Sequence, residues 1–470
     1  DPTMTDLVDR LRELVGDAHV ITGPDLAPFL LDARGAVTGD ALALVRPADT
    51  SQVAAVLRAL AGTGVAVVPQ GGRTGMSGGA VPFDDRPTVV VSTARLSEIR
   101  GVDRVGHTIT VGAGVTIEAV QDAARDRRLD FAPDWGARGS ATVGGAIATD
   151  AGGVNVLRHG TVRDHVLGLE VVLADGRVWD GLRGLRKDSS GLDPAHLFIG
   201  TEGTLGIVTA AVLRLGPQRR HVTSALAALP RLALLDEMVG RARAAGAELT
   251  ACELMPGSGI DLVCERVGLT HPLATDAEWY VLVRYAGTTP VDDALADFLE
   301  RAAADGVITD AVVGATADQE ARLWQLRDLL SPPNLFGPGV DSAKADAAVP
   351  LGAVTAFVDG VHDVAGRLAP GSTVLCFGHA GDGNIHAHVL AAAGDPTWPD
   401  RRVELDTARD ELTWSLGGTI SAEHGVGRVL VDRIGSQKST VEVDLARAVK
   451  HALDPVGMLN PGKTLPDAPT

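Results

Sequence analysis

The stretch PQGGRTGMSGGA, residues 69–80, runs directly out of the apolar segment VAVVP (65–69), and this junction decides the fold. A short β-branched run of that kind reads as a strand. Glycines placed just behind it let backbone N–H groups converge on an anion and let the chain approach a ligand closely. Arg73 and Thr74 add a guanidinium and a hydroxyl to the same loop. A flexible surface loop would account for these glycines if they stood alone. They do not, because a second cluster, APDWGARGSATVGGAIATDAGG (132–153), follows in the same half of the chain. One ligand long enough to touch both, such as a dinucleotide, explains the pair. The G-x-G-x-x-G fingerprint of an ordinary NAD fold is absent from the sequence.

Outward from this loop, short strands alternate with helices from Ala41 to Leu215. Strands are expected at 41–47, 65–69, 88–92, 108–114, 167–179 and 205–215. The helix between the first two starts in 49–64, with Thr50 or Ser51 as N-cap, and a second spans 115–128. Gly216-Pro217 marks a boundary. Beyond it helices are expected at 232–245, 290–304, 317–330, 352–368, 401–415 and 439–453, with strands near 279–285, 373–378 and 385–390. The fold class is therefore α+β. The expected domains are 4–216, 217–453 and a turn-rich tail, 454–470, returning to the first.

A 470-residue chain that is 45% hydrophobic can build two large cores. Its formal charge of −18 argues against nucleic acid or an anionic membrane as partner, so an anionic substrate needs a local cluster of cations. Cys252, Cys264 and Cys376 form no C-x-x-C pair. With no charged-then-apolar leader and no long apolar stretch, the expectation is a reduced, cytoplasmic protein without a membrane span. Asp1 to Thr3, ahead of Met4, read as a processing scar.

The second concentration of chemistry is VLCFGHAGDGNIHAHVL (374–390), a strand, a tight Gly-Asp-Gly-Asn turn and a strand. His379 and His386 flank the turn and can converge, while His386 and His388 share one face. GGTISAEHGVGR (417–428) places Glu423 and His424 side by side. Two imidazoles and a carboxylate suit Zn²⁺ or a similar divalent ion. A polar hairpin with merely hydrogen-bonded histidines is the plain alternative. Side chains of adjacent strand residues diverge, so Glu423 and His424 require irregular backbone, which Gly425 and Gly427 permit. In LWQLRDLLS (323–331), Arg327 and Ser331 stand at i and i+4 of one expected helix. Arg327 would otherwise be a surface residue pairing with Asp328 or Glu320. The string from Gly457 to Thr464 satisfies the P-loop expression. It follows a helix rather than a strand and has no helix after it, so it is rejected as a phosphate site.

The strings PQGGRTGMSGGA, FAPDWGARGSATVGGAIATDAGG, VLGLEVVLADGRVW (166–179) and FIGTEGTLGIVT (198–209) resemble the FAD-binding domain of vanillyl-alcohol oxidase type flavoproteins. They are most similar to the D-2-hydroxyglutarate and D-lactate dehydrogenase branch, over residues 30–466. That resemblance implies a two-subdomain, PCMH-type FAD-binding domain and a substrate (cap) domain with an antiparallel sheet. It implies that Gly71, Gly72, Arg73, Thr74, Gly75 and Met76 hold the pyrophosphate. Pro133, Ser140, Gly145, Gly152 and Gly153 would line the flavin. Glu202, Gly206, Ile207 and Val208 would meet the adenine or ribose end, and Asn460 would close the site. No linking histidine stands in 69–80, so FAD is expected to be non-covalent. Arg73, where a smaller residue is usual, and Asp150, where Asn is usual, depart from the pattern.

GHAGDGNIH and SAEHGVG resemble the branch's two signature strings, which implies His379, His386 and Glu423 as metal ligands and His424 as general base. The same resemblance implies that Arg327, Ser331 and Lys344 bind the substrate carboxylate and that Asn384 and His388 face the substrate. His388 stands where the branch usually has Asn. The implied activity is FAD-dependent, metal-assisted oxidation of a D-2-hydroxy acid, D-2-hydroxyglutarate first, with D-lactate or a glycolate-type acid as alternatives. Electrons would pass to an electron-transfer flavoprotein or a quinone, and a homodimer is compatible with the family. The rivals are a flavin-free metal hydrolase, which leaves both glycine clusters unexplained, and a nucleotide-binding regulatory protein built on 457–464.

Overall fold

Two parallel pairings, Ala43–Val45 and Ala66–Gln70 on either side of Thr88–Ser92, begin the architecture in the computed structural model, which describes residues 2–83, 85–337, 340–392 and 394–465. Val20–Ile21 closes one edge of this four-stranded sheet antiparallel. Ala43–Val45 and Thr88–Ser92 are buried at every position, as parallel strands covered on both faces must be. Helix Thr50–Leu60 packs its Val53, Val56, Leu57 and Leu60 into the same core. Its N-cap is Asp49, whose carboxylate accepts from Gln52 N at 2.8 Å, one residue earlier than the sequence suggests.

A second, antiparallel sheet runs Ile99–Asp103, Thr108–Gly112, Ile207–Arg214, Val166–Val172 and Val178–Asp180 in spatial order. Helix Ile117–Arg125, capped by the Thr116 hydroxyl, buries Ile117, Val120 and Ala124 in the core common to both sheets. The chain returns to this unit late. Val67 and Leu459 form a parallel bridge, with Val67 N donating to Met458 O and Asn460 N to Val67 O.

The chain forms two units. The first comprises residues up to Gly153, Gly160–Gln218 and everything from Glu423 onward; the second comprises Val154–His159 and Arg219–Ala422. The return therefore comes at Glu423, ahead of the expected 454, and six residues after the second glycine cluster leave for the second unit. The polar, glycine-broken segment 417–430 holds no regular element that would mark the crossing in sequence.

The second unit is built on one antiparallel sheet of seven strands. In spatial order they are Asp310–Val313, His221–Leu229, Trp279–Gly287, Leu249–Pro256, Thr373–His379, Asn384–Leu390 and Ser342–Ala348. Only Trp279–Gly287, Thr373–His379 and Asn384–Leu390 match strands expected from sequence. One face buries Ala225, Leu254, Val281, Cys376, Ile385 and Ala387 against Phe298, Phe357 and Leu405. The other buries Leu226, Met255, Tyr280 and Phe377 against Leu323, Leu326 and Leu330. Among the described residues no helix is long and apolar enough to cross a membrane.

Candidate active site

In the first unit the glycine loops line one cavity of about 400 Å³. That is the size range of small-molecule sites, roughly 300–1,000 Å³. Gly71, Gly72, Arg73, Thr74, Gly75, Met76, Gly145, Gly152, Gly153, Glu202, Gly206, Ile207 and Val208 all line it, as do Thr142, Glu423 and His424. Gly72 has no room for a side chain, since a Cβ there would lie 1.9 Å from Ser140 O. Of the seven non-glycine residues with positive φ among those described, Arg73, Asp150 and Glu202 belong to these strings, and Asn460 to the C-terminal string 457–464. Such backbone costs about 1–3 kcal/mol per residue and persists where surroundings enforce it.

Several residues of the cleft have duties the sequence did not show. Arg73 donates to the Pro28 carbonyl and lies over the Phe29 ring at 4.7 Å, so its guanidinium anchors the loop instead of reaching for phosphate. Pro133 and Ser140 are not among the lining residues. Pro133 is buried with its carbonyl accepting from Gln121 Nε2, and Ser140 is exposed. Asn460 also stands behind the wall, where its Nδ2 ties Gly79 O to Glu202 O at 2.9 and 2.6 Å. Asp150 caps helix Val143–Thr149 in the left-handed region and pairs with Arg163 at 2.8 Å, which accounts for an anion in place of an amide.

Glu202 lines the cleft, and its carboxylate is engaged by backbone. It accepts from Val426 N at 2.7 Å and from Gly427 N at 3.0 Å, and so holds the loop that carries Glu423 and His424. Burial raises its pKa, against the pull of those two N–H donors and the Lys463 charge. Lys463 itself is buried and donates to Val81 O, a structural role for the lysine of the rejected P-loop string. Gly425 and Gly427, at φ +76° and +50°, supply the irregular backbone that Glu423 and His424 need. Glu423 Oε2 accepts from Gly153 N at 3.1 Å, Ser77 Oγ donates to His424 O at 3.1 Å, and the His424 Nε2 lies 3.7 Å from Glu423 Oε1.

Thr142, overlooked in the sequence, gives the clearest test of whether a dinucleotide fits. Its Oγ1 is buried in the cleft wall without a hydrogen-bond partner among the described residues. A buried orphan hydroxyl costs stability until a ligand meets it, and phosphate or flavin oxygens and nitrogens are the partners this cavity would receive. The residues present fit FAD. Thr142→Val, which keeps shape and removes the hydroxyl, should loosen FAD by roughly tenfold or more, from the about 1–3 kcal/mol of such a bond. Flavin retained after gel filtration against increasing salt checks this.

In the second unit the turn geometry expected from sequence is realised. His379 and His386 converge with ring centroids 5.6 Å apart, nearly perpendicular. His386 and His388 lie on one face, and His388 stacks on Phe377 within 4° of parallel. The neighbouring strand places Asp346 opposite His386 and Lys344 opposite His388. Each converging imidazole also has a carboxylate at Nδ1. Glu253 Oε1 lies 2.8 Å from His379 Nδ1, and Asp346 Oδ1 lies 3.4 Å from His386 Nδ1. At His379 that hydrogen bond leaves Nε2 as the ligating atom, the pattern usual for metal-binding histidines. A divalent ion fits the donor chemistry.

Arg327 pairs with neither Asp328 nor Glu320. Its Nε donates to Glu253 Oε2 at 2.6 Å and its guanidinium lies over Phe377 at 5.2 Å, while Glu320 is held by Ser224. Burial pushes the Glu253 carboxyl up, but the His379 and Arg327 charges outweigh it and lower its pKa to about 2. Ser331 does not share a helix face with Arg327, because the helix ends at Asp328 and Ser331 is extended, at the residue just before Pro332–Phe336. A residue preceding proline is driven out of the α region. Asn384 is also redirected, with its Nδ2 donating to Asp346 Oδ1 and Ala347 O at 2.9 and 3.1 Å.

The first unit carries a cleft that fits a dinucleotide, and the second a sheet face on which His379 and His386 converge near Arg327 and Lys344. Residues 41–181 match the FAD binding domain family and residues 218–464 the C-terminal domain of FAD linked oxidases. The chain is 38% identical to the mitochondrial D-2-hydroxyglutarate dehydrogenase of Bos taurus over 459 residues, 97% of this chain and 82% of that one. It is 36% identical to D-2-hydroxyglutarate dehydrogenase of Xanthomonas citri over 480 residues, 98% and 97% of the two chains. Among solved structures, p-cresol methylhydroxylase superposes with a TM-score of 0.76 at 19% identity, covering 98% of this chain and 97% of that one. The 4-ethylphenol oxidase of Gulosibacter chungangensis gives 0.74 at 19%, with the same coverage. The chain belongs to the FAD-linked oxidase family, as an FAD-dependent hydroxyacid dehydrogenase.

Proposed function

We propose that this enzyme oxidises D-2-hydroxyglutarate to its 2-oxo acid, with a divalent ion, Zn²⁺ first, assisting the hydroxyl. The observation that carries the reading is the sheet face on which His379 and His386 converge, each backed by a carboxylate, beside Arg327 and Lys344. The names of the relatives support the substrate. The metal would be held by His379, His386 and Glu423, and when bound it lowers the pKa of the substrate hydroxyl. FAD, bound without a covalent link, supplies the acceptor at N5 for the α-hydrogen of C2 as hydride.

The remaining work falls to side chains. Arg327 and Lys344 offer fixed cations to carboxylate, which the chain's overall charge of −18 would otherwise repel. Ser331 adds a hydroxyl beyond the helix break. His424 takes the hydroxyl proton as a neutral imidazole, a role suited to a group whose ordinary pKa lies near neutrality. His388 is held flat on Phe377 and limits the tail carried on C2. An electron-transfer flavoprotein or a quinone completes turnover as the acceptor.

Anaerobic bleaching of the bound flavin by a panel of D- and L-2-hydroxy acids, before and after dialysis against chelator, tests the reading. Bleaching should be selective for the D acids, fastest with D-2-hydroxyglutarate, and should slow by about 10²-fold or more without metal. Unchanged rates after demonstrated metal removal would reject metal assistance. Preference for D-lactate or glycolate would reassign the substrate.

A further inference from the structure

Glu253 sits on the central strand Leu249–Pro256 with its side chain 1% exposed, yet it is an acid among apolar neighbours. Buried carboxylates are rare unless each oxygen is partnered. Here the two oxygens are divided. Oε1 faces His379 Nδ1 at 2.8 Å and Oε2 accepts from Arg327 Nε at 2.6 Å. The first partner is on the neighbouring strand Thr373–His379 and the second on helix Ala317–Asp328, so one side chain ties two separate elements together. Phe377 closes the arrangement, with the Arg327 guanidinium over its ring and His388 stacked on it.

We propose that Glu253 is a positioning residue that couples the metal-binding imidazole of His379 to the substrate-binding guanidinium of Arg327. This rests on the metal and carboxylate roles proposed above. One oxygen accepts the Nδ1 hydrogen of His379, which fixes the tautomer that presents Nε2 to a metal. The other takes Nε of Arg327, which orients the guanidinium plane and leaves its two terminal nitrogens to form a fork for a carboxylate. Because both bonds end on one rigid group, a shift of the arginine on binding an anion is felt at the histidine. Metal and carboxylate therefore bind with positive coupling.

An amide cannot serve both Arg327 and the Nδ1–H tautomer of His379. In Glu253→Gln, either the carbonyl oxygen meets Arg327 and the NH₂ opposes His379 Nδ1, or the reverse. The test uses the FAD-loaded full chain, with Zn²⁺ affinity measured by chelator competition and binding of 2-oxoglutarate followed by perturbation of the flavin spectrum. Wild type should bind both, each tightening the other. Glu253→Gln should lose about 10–100-fold in Zn²⁺ affinity, the usual effect of removing such a partner, and should lose the coupling, while bound flavin is unchanged. Arg327→Met should abolish the coupling and weaken 2-oxoglutarate, with Zn²⁺ affinity in the absence of the acid close to wild type.

Three outcomes overturn the inference. If wild type binds no Zn²⁺, the metal reading itself fails and the inference with it. If wild type binds Zn²⁺ but Glu253→Gln matches it in affinity and coupling, only the positioning role fails. If Glu253→Gln loses affinity for both probes but keeps wild-type coupling, the carboxylate is a structural buttress and not the link. Should Glu253→Gln not accumulate, Arg327→Met alone gives the coupling test, since it removes the Oε2 end of the link and leaves His379 and its Oε1 partner in place.

Discussion

Replacing His424 by Ala should slow anaerobic bleaching of the flavin by roughly 10²–10⁴-fold, the span of a removed general base, without loss of FAD. The second half of that expectation follows from the way the residue is held. Ser77 Oγ donates to the His424 carbonyl, and Glu202 grips Val426 N and Gly427 N just beyond it. All of those contacts are to backbone and survive truncation of the imidazole. The variant should therefore keep its yellow colour while losing its response to substrate. Bleaching at the wild-type rate would remove His424 as the base, and a colourless protein would mean that the imidazole serves the cofactor instead.

The second large effect is expected at Gly427. A Cβ there would stand 2.0 Å from Ser77 O and 2.6 Å from its carbonyl carbon, at a φ of +50°. Both neighbours are backbone of the 69–80 loop and cannot swing aside as a side chain would. Gly427→Ala should push the segment carrying Glu423 and His424 away from Glu202 and strain the flavin loop at the same time. A displacement of about 1 Å is enough to cost on the order of 10²-fold in rate. Gly457→Ala separates steric overlap from backbone strain, since its φ is +63° and nothing lies within 4 Å of its Cβ. That control should lose only the modest stability due to the left-handed conformation. Equal kcat and equal flavin content in the two variants would refute the overlap argument.

Glycine spacing was readable because its cause is local. Residues 69–80 and 132–153 need particular backbone conformations whatever surrounds them, so their purpose shows in one dimension. The hairpin at 374–390 was readable for the same reason, and its rings do converge. Partners that arrive from distant strands were not. Glu253 carries no local signature, and its value, like the pairing of Asp346 with His386, appears only when the sheet sets the strands side by side. Strand Ser342–Ala348 escaped notice because SAKADAA has four alanines and no β-branched residue, and strand His221–Leu229 is alanine-rich as well. Both are strands through burial and pairing rather than propensity. Ser331 was misplaced by extending a helical spacing past the point where Pro332 forbids it.

The six-residue departure at Val154–His159 and the late return at Glu423 bear on how this chain is made. The sheet that holds the flavin loop gains its Val67–Leu459 bridge from residues nearly four hundred positions apart. Such pairings raise contact order and slow folding. On a ribosome, the second unit has nearly all its residues in hand from Arg219 to Ala422 and can condense first. The first unit must wait, with its cleft incomplete, until Asn460 emerges to tie Gly79 to Glu202. Synthesis at about 5–20 residues per second makes that a wait of many seconds. Chaperone dependence and sensitivity to truncation should therefore concentrate in the flavin half, even though most of its residues are translated first.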